Sequence, residues 1–348
     1  MLFYGAVELN ASAHCPQAMS LHRQFLSRSV RLDGVIDVII LLALSGSWVG
    51  LLGSSHWLPD LFSHFRWQYL VVSLLAVGWC FRRRRRAIAW ISFFTLTLNV
   101  WLIGALAISS RPFAIELATD FRLRVVSLNV LTSNQRYQDV LDYLHSADAD
   151  LIFLMEIDSI WAAKLESLKL SHPHHLVHPR ADNFGIALFS RLPLQQLRII
   201  REFGQSPATG AYSTPSIEAH LSMGSRELVL YGIHPVPPAG FTAWQSRNHQ
   251  LRAVADCTAE TGKPTIVTGD LNATPWCEGM RSLRSNGRLD FRSAIPPWLP
   301  TWRARSIFAI PIDHVLCSSP LVIKDRKVGP DLGSDHRPQL FEVGWVNQ

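Results

Sequence analysis

From Ala87 to Ser110 the chain runs through AIAWISFFTLTLNVWLIGALAISS without a single charge, and this stretch constrains its fold more than any other feature. A helix needs about 20 apolar residues to cross the hydrocarbon core of a bilayer. Two more apolar stretches precede it: Gly34 to Gly53, interrupted only by Asp37, and Phe65 to Phe81, with Arg66 at its edge. Three such stretches in succession, none with a polar face, read as transmembrane helices and not as buried core helices. Arg23, Arg28 and Arg31 lie before the first span, and Arg82 to Arg86 lie between the second and third. Lysines and arginines favour the cytoplasmic side, so the third helix is expected to deliver everything after Arg111 outward. The expected layout is a cytoplasmic N-terminal segment (1–33), three transmembrane helices (34–110), a linker (111–120) and a periplasmic or extracellular domain (121–348), in a bacterial inner membrane. The arginine run fits a stop-transfer segment facing lipid headgroups. The first 18 residues lack the pattern of a signal peptide, and Met19 is the expected biological start. Gly46 and Gly50 form one GxxxG, a helix-packing motif.

From Phe121 onward short β-rich runs alternate with helical segments, which reads as one α/β domain. Strands are expected near Leu123 to Val130, Asp150 to Met155, Gly185 to Ser190, Ile217 to Leu221, Glu227 to Ile233, Thr265 to Thr268, Ile312 to Leu316 and Leu321 to Val328. Helices fit Gln135 to His145, Ser159 to Leu170 and Thr242 to Glu260. Residues 121–348 hold 23 Lys or Arg against 21 Asp or Glu. This near balance excludes a strongly basic nucleic-acid-binding domain. Five cysteines (Cys15, Cys80, Cys257, Cys277, Cys317), with no CxxC, indicate neither a zinc ribbon nor a disulfide framework, and are expected to be free thiols.

Polar residues stand at the ends of the apolar strands, where side chains can leave the core and meet in a cleft. They are Asn129 in VVSLNV, Glu156 in LIFLMEID, His234 in LVLYGIHP, Asp270 and Asn272 in TGDLNATP, Asp313 in IPIDHVL, and Asp335 with His336 in GSDHRP. Singly, each is an ordinary turn or cap residue. Together, the hard oxygen donors of Glu156, Asn129, Asp270 and Asp335 suit Mg2+ or Mn2+, and two histidines supply proton transfer. Such a set suits hydrolysis of a phosphoester.

The order and wording of TGDLNATP, IDHVL and GSDHRP resemble the endonuclease/exonuclease/phosphatase superfamily, over roughly Phe121 to Val346. The resemblance implies a DNase I-like fold, two packed β-sheets flanked by helices in a four-layer α/β/β/α sandwich. It implies Glu156 as principal metal ligand, Asn129 as the first-strand residue of the metal and phosphate site, and Asp335 as a metal-linked neighbour. Asp270 and Asn272 resemble the pair that positions water and phosphate, His336 the base that activates water, Asp313 the carboxylate orienting it, and His234 a phosphate contact. Asn183 resembles a substrate-contacting residue, and Arg247 is a further candidate for phosphate. Leu131 stands where repair-type members often carry an aspartate, which weakens a repair-nuclease reading.

The expected function is therefore a membrane-anchored, Mg2+- or Mn2+-dependent phosphohydrolase. Its substrate could be a lipid headgroup, a nucleotide, another small phosphoester or extracellular nucleic acid, with the lipid bilayer as its other partner. One rival is a catalytically inactive membrane-tethered scaffold that binds phosphate, and another is a transporter. The histidines of SHPHHLVHP (172, 174, 175, 178) read as a proline-broken solvated loop before a metal site. Trp276, Trp298 and Trp302 are candidates for a cleft rim or packing, and Arg281, Arg284 and Arg288 fit one solvated helical face. A reporter fused after Gln348 should be active only when it requires the outer compartment, and cytoplasmic behaviour would overturn the expected orientation.

Overall fold

The computed structural model describes residues 32–110, 117–200, 214–223, 226–293 and 295–346. Met19, the rest of residues 1–31, and residues 111–116 of the expected linker lie outside the described residues. By internal contacts the chain divides into two compact units, Met1–Leu42 and Ala43–Gln348.

Among the described residues, four helices come first: α1 (Leu32–Val49), α2 (Trp57–Ser63), α3 (Arg66–Arg82) and α4 (Arg86–Ser110). Among the described residues, two helical stretches, Leu32–Leu52 and Arg86–Ser110, are long and apolar enough to cross a membrane. Helix α3, expected as a third such helix, falls short of that length. Helix α3 has 17 residues, about 26 Å at 1.5 Å per residue, against a hydrocarbon core of about 30 Å. Its buried side includes Arg66, Tyr69 and Ser73. The Arg66 guanidinium donates to the Ser47 carbonyl at 2.7 Å, and the Asn99 amide donates to Ser47 Oγ at 2.8 Å. Gly50 serves close packing within the chain, since a Cβ there would lie 2.9 Å from the Phe62 backbone.

The remainder is a sandwich of two sheets. Strands β1 (Leu117–Asn129), β2 (Leu151–Met155), β3 (His174–His178), β4 (Ile186–Ser190), β10 (Leu321–Val328) and β11 (Gln339–Val346) form one sheet, ordered β10-β11-β1-β2-β4-β3. Strands β5 (Leu194–Ile200), β6 (Ser216–Met223), β7 (Arg226–Ile233), β8 (Thr265–Asp270) and β9 (Asp313–Cys317) form the other in sequence order. Among the described strands, β1 with β2 and β7 with β8 pair in parallel; the other pairs are antiparallel.

Strand residues alternate between two apolar environments. Leu151, Phe153 and Met155 of β2 face the inter-sheet core with Leu228 and Leu230 of β7 and Ile266 of β8. Ile152 and Leu154 face outward beneath α5 (Tyr137–Ser146) and the segment that starts with α6 (Ser159–Lys164). On the other side, Val229, Tyr231 and Val267 pack against α8 (Phe241–Thr261) and α9 (Glu278–Asn286); α7 (Leu168–Ser171) is a single short turn between α6 and β3. Both faces of β2, β4, β7 and β8 are thus apolar, which is why these strands read as hydrophobic runs. Cys257, Cys277 and Cys317 are free thiols.

Three strands went unread. Strand β3 is a half-exposed edge built of HHLVH, and β5 is an edge carrying Gln195 and Gln196, so neither shows a buried strand's pattern. Strand β11 also lies beyond the expected strands; its run QLFEVGWV is broken by Gln339 and Glu342. The expected loop of solvated histidines is corrected as well, since His172 is buried and its Nε2 sits 3.0 Å from the Ala149 carbonyl.

Gly269, the penultimate residue of β8, has φ +143°, and a Cβ there would lie 2.0 Å from the Ile233 carbonyl. Gly269→Ala should therefore destabilise the protein by about 2 kcal/mol or more, through strain and overpacking together. A thermal melt of the full chain in detergent checks this; an unchanged midpoint would contradict the packing.

Candidate active site

The topology carries the strand-end residues to one edge of the sandwich. Asn129 ends β1, and Glu156 follows β2, its parallel neighbour. His234 follows β7, Asp270 ends the parallel β8, and Asp313 opens the antiparallel β9 directly opposite Asp270. His336 lies three residues before β11. Across the sandwich, the Asp270 N–H donates to Met155 Sδ at 3.1 Å, which holds the two sheets' ends in register.

Asp270 is 2% exposed and is the hub. Its Oδ1 accepts from the Asn272 N–H at 3.0 Å, and its Oδ2 accepts from Asn129 Nδ2 at 3.3 Å. The Nε2 atoms of His336 and His234 lie 3.5 and 3.6 Å from the same Oδ2. Asn129 Nδ2 also donates to Glu156 Oε1 at 2.9 Å, while its Oδ1 accepts from the Leu131 N–H at 3.0 Å. That last bond orients the amide, so Asn129 holds two carboxylates by donation and has its oxygen committed elsewhere. Glu156 Oε2 accepts from the Thr132 N–H at 3.2 Å.

His336 Nδ1 is 2.9 Å from Asp313 Oδ2. Asp313 lies buried behind the imidazole, and its own N–H donates to Thr301 Oγ1 at 3.1 Å. This pairing fixes the tautomer with the proton on Nδ1 and leaves Nε2 facing the cleft. Asp335 Oδ2 accepts from Trp302 Nε1 at 2.8 Å, and its Oδ1 lies 4.0 Å from His336 Nε2.

A cleft of about 460 Å³ opens above these groups. Glu156, Asn183, His234, Asp270, Asn272, Asp335 and His336 line it, whereas Asn129 and Asp313 sit behind its surface. Glu156, Asn183 and Asn272 have φ of +63°, +64° and +46°, uncommon backbone for non-glycine residues that concentrates at functional sites. Arg247, expected at phosphate, is placed elsewhere. It is fully buried, with Nη2 2.7 Å from Asp60 Oδ2 and Nη1 3.2 Å from the Asn272 carbonyl. Sequence reasoning missed Thr132, Thr301 and Ser334, whose hydroxyls brace the site. It also missed Leu61, His64 and Phe65, which line the cleft from the segment preceding α3. No pattern marked them, because that segment read only as the connection between two apolar stretches.

Charge explains the protonation pattern. Burial opposes the His336 imidazolium, but Asp313, Asp270 and Asp335 outweigh it and raise the group to about 10. Burial would raise Asp270 too, yet His336 and His234 bring it down to about 2. Burial lifts Asp313 above its ordinary carboxylate range, against the pull of His336. Among the described residues, no lysine or arginine side chain pairs with Glu156, Asp270 or Asp335. Asp270, Asp313 and His336 offer ligand atoms within 4.8 Å of one another. Carboxylates concentrated in a cleft without a resident cationic side chain fit a divalent cation that takes hard oxygen donors.

A histidine raised by folding contributes stability that is complete below its unfolded value and is lost as pH rises through its folded value. In cation-free protein the thermal midpoint should therefore fall between pH 6.5 and about 10, and Asp313→Asn should flatten that decline. NMR titration of the His336 ring protons checks the same shift; a midpoint near 6.5 would contradict it.

The model of the Endonuclease/Exonuclease/phosphatase family matches residues 96–336. No curated protein matches the chain. Among solved structures, an endonuclease/exonuclease/phosphatase from Beutenbergia cavernae is similar with a TM-score of 0.54 at 17% identity, over 65% of this chain and 72% of that one. The human Nocturnin catalytic domain is similar with a TM-score of 0.53 at 20% identity, over 69% and 99%. Truncated Caenorhabditis elegans TDP2 gives 0.53 at 16% identity, over 65% and 98%. At these identities the likeness is one of fold.

Proposed function

Because the chain belongs to the Endonuclease/Exonuclease/phosphatase family, whose name denotes hydrolysis of phosphoesters, we propose that it is a membrane-anchored, divalent-metal-dependent phosphohydrolase. The observation that carries this reading is the Asp313–His336–Asp270 arrangement beside Glu156. Asp313 holds the imidazole through Nδ1, and Nε2 takes a proton from water as it attacks phosphorus. Glu156, Asp270 and Asp335 would hold Mg2+ or Mn2+, which supplies neutralisation of the phosphoryl oxygens and of the leaving oxygen. Asn272 and His234 orient the phosphate, and Asn129 keeps Glu156 and Asp270 in place.

Membrane anchoring is supported by the outward side chains of α4. Trp90, Phe94, Val100 and Trp101 are all exposed, and an apolar surface of this kind suits a lipid environment. A second support comes from connectivity. Asp60, before α3, forms an ion pair with Arg247, beyond α4, so both ends of the α3–α4 hairpin lie on one side. If α4 crosses the bilayer, α3 must cross as well, its short length accommodated by local thinning of the bilayer. In this reading the N-terminus is cytoplasmic and the catalytic domain lies in the periplasm or outside the cell. The substrate is a phosphoester of a lipid headgroup, a nucleotide, another small molecule or extracellular nucleic acid.

The purified full chain should hydrolyse at least one of a bis-ester, a monoester, a nucleic acid or a phospholipid with Mg2+ or Mn2+, and EDTA should abolish this. His336→Ala and Glu156→Ala should each lower kcat by about 10²-fold to 10⁴-fold while the fold is retained. Wild-type turnover in either variant would overturn the assignment.

A further inference from the structure

The segment joining the first two apolar helices is docked onto the catalytic domain and supplies part of its cleft. Asp60 of α2 and Arg247 of α8 are both fully buried and meet at 2.7 Å. The Glu278 N–H points to Asp60 Oδ1 at 3.4 Å, and the Thr274 N–H points to His64 Nδ1 at 3.4 Å. Further along, Gln68 Nε2 donates to the Ala309 carbonyl at 2.8 Å, and the Phe65 and Phe308 rings meet edge to face at 6.5 Å. Leu61, His64 and Phe65 line the same cleft as Glu156, Asp270 and His336. His64 is buried, its Nε2 has no hydrogen-bond partner, and burial holds its imidazole neutral, down to about 4.

The cleft therefore has a polar floor and an apolar wall. Phosphate chemistry accounts for the floor. Leu61 and Phe65 are half-buried and, with Phe184 and Ile310, offer apolar surface that a bare phosphate or a sugar phosphate could not cover. Just beyond, Ile307 and Phe308 are exposed, in a loop that also carries Arg303 and Arg305.

We propose that the segment between the first two apolar helices is a specificity-determining wall of the active site, and that the cleft takes a phosphoester bearing an apolar substituent, which lies on Leu61 and Phe65. The inference rests on the phosphohydrolase reading and names its substrate class. Such an amphiphile could come from the bilayer or from solution.

The test uses the full chain with Mg2+ and three p-nitrophenyl phosphodiesters, whose other ester group is ethyl, octyl, or a diacylglycerol held in phosphatidylcholine vesicles. Release of p-nitrophenol gives kcat/KM for each. The octyl ester should exceed the ethyl ester by about tenfold or more, and Phe65→Ala and Leu61→Ala should each cut that ratio at least several-fold. Both sites are half-buried, and a thermal melt identifies a variant that has lost its fold. Preference for the vesicle-borne ester over the octyl ester assigns the substrate to the bilayer, and the reverse assigns it to solution; both support the wall. Equal hydrolysis of ethyl and octyl esters, or a ratio that neither folded variant changes, overturns this inference and leaves the hydrolase standing. No hydrolysis of any ester, or of any substrate in the wider panel, overturns both.

Discussion

A carboxylate buried as deeply as Asp270 is stable only if its surroundings compensate the charge, and this requirement organises the site. The compensation comes from Asn129 at the end of β1, Asn272 just beyond β8, His234 beyond β7 and His336 before β11. Each lies on a different segment, so the carboxylate ties together strand ends from both sheets. The Asp270 N–H to Met155 Sδ contact adds the inner face of β2. Movement of either sheet by one residue would strand a buried charge and turn core side chains outward. The sandwich and its cleft are therefore specified by the same contacts.

The same charge sets a chemical condition. Three aspartates around His336 favour the imidazolium, the wrong state for the base proposed above. A divalent cation held among those carboxylates would offset their charge and return Nε2 to the state that accepts a proton. The absence of a cationic side chain against Glu156, Asp270 and Asp335, among the described residues, fits this division of labour. Strain points to the same place. Leu131, Glu156, Asn183 and Asn272 all take positive φ around the cleft, and hydrogen bonds such as Thr132 to Glu156 help offset that cost.

What could be read from the sequence follows from what each signal rests on. Strands β2, β4 and β8 are apolar on both faces and stand out as hydrophobic runs that lead into polar residues. The edge strands β3 and β5 have no fully buried residue and carry no such run. The site residues were legible because a polar side chain at the end of a buried strand has few places to go. Their roles were less so. Asn129 and Glu156 both stand at the end of a buried strand, and the Leu131 N–H that occupies the Asn129 oxygen and aims its amide nitrogen at Glu156 is visible only in three dimensions. Arg247 is the sharper case. Its position in the helix after His234 suggested phosphate, whereas its partner Asp60 is 187 residues away, in a segment outside the catalytic domain as read.

That distant pair changes what the apolar helices do. A buried ion pair is weak evidence for added stability, because desolvation of two charges consumes most of their attraction. Loss of one partner, however, leaves an uncompensated charge in the interior, so the pair discriminates sharply between one docking geometry and all others. Arg247 meets Asp60 through Nη2 and the Asn272 carbonyl through Nη1, and the Asn272 N–H holds Asp270. Three consecutive hydrogen bonds thus connect the loop between the apolar helices to the hub carboxylate. A tether needed only to hold an enzyme at a membrane would require no buried contact with the catalytic strands. Here the contact reaches the residue beside Asp270, and the orientation of the helical hairpin and the shape of the cleft are properties of one network.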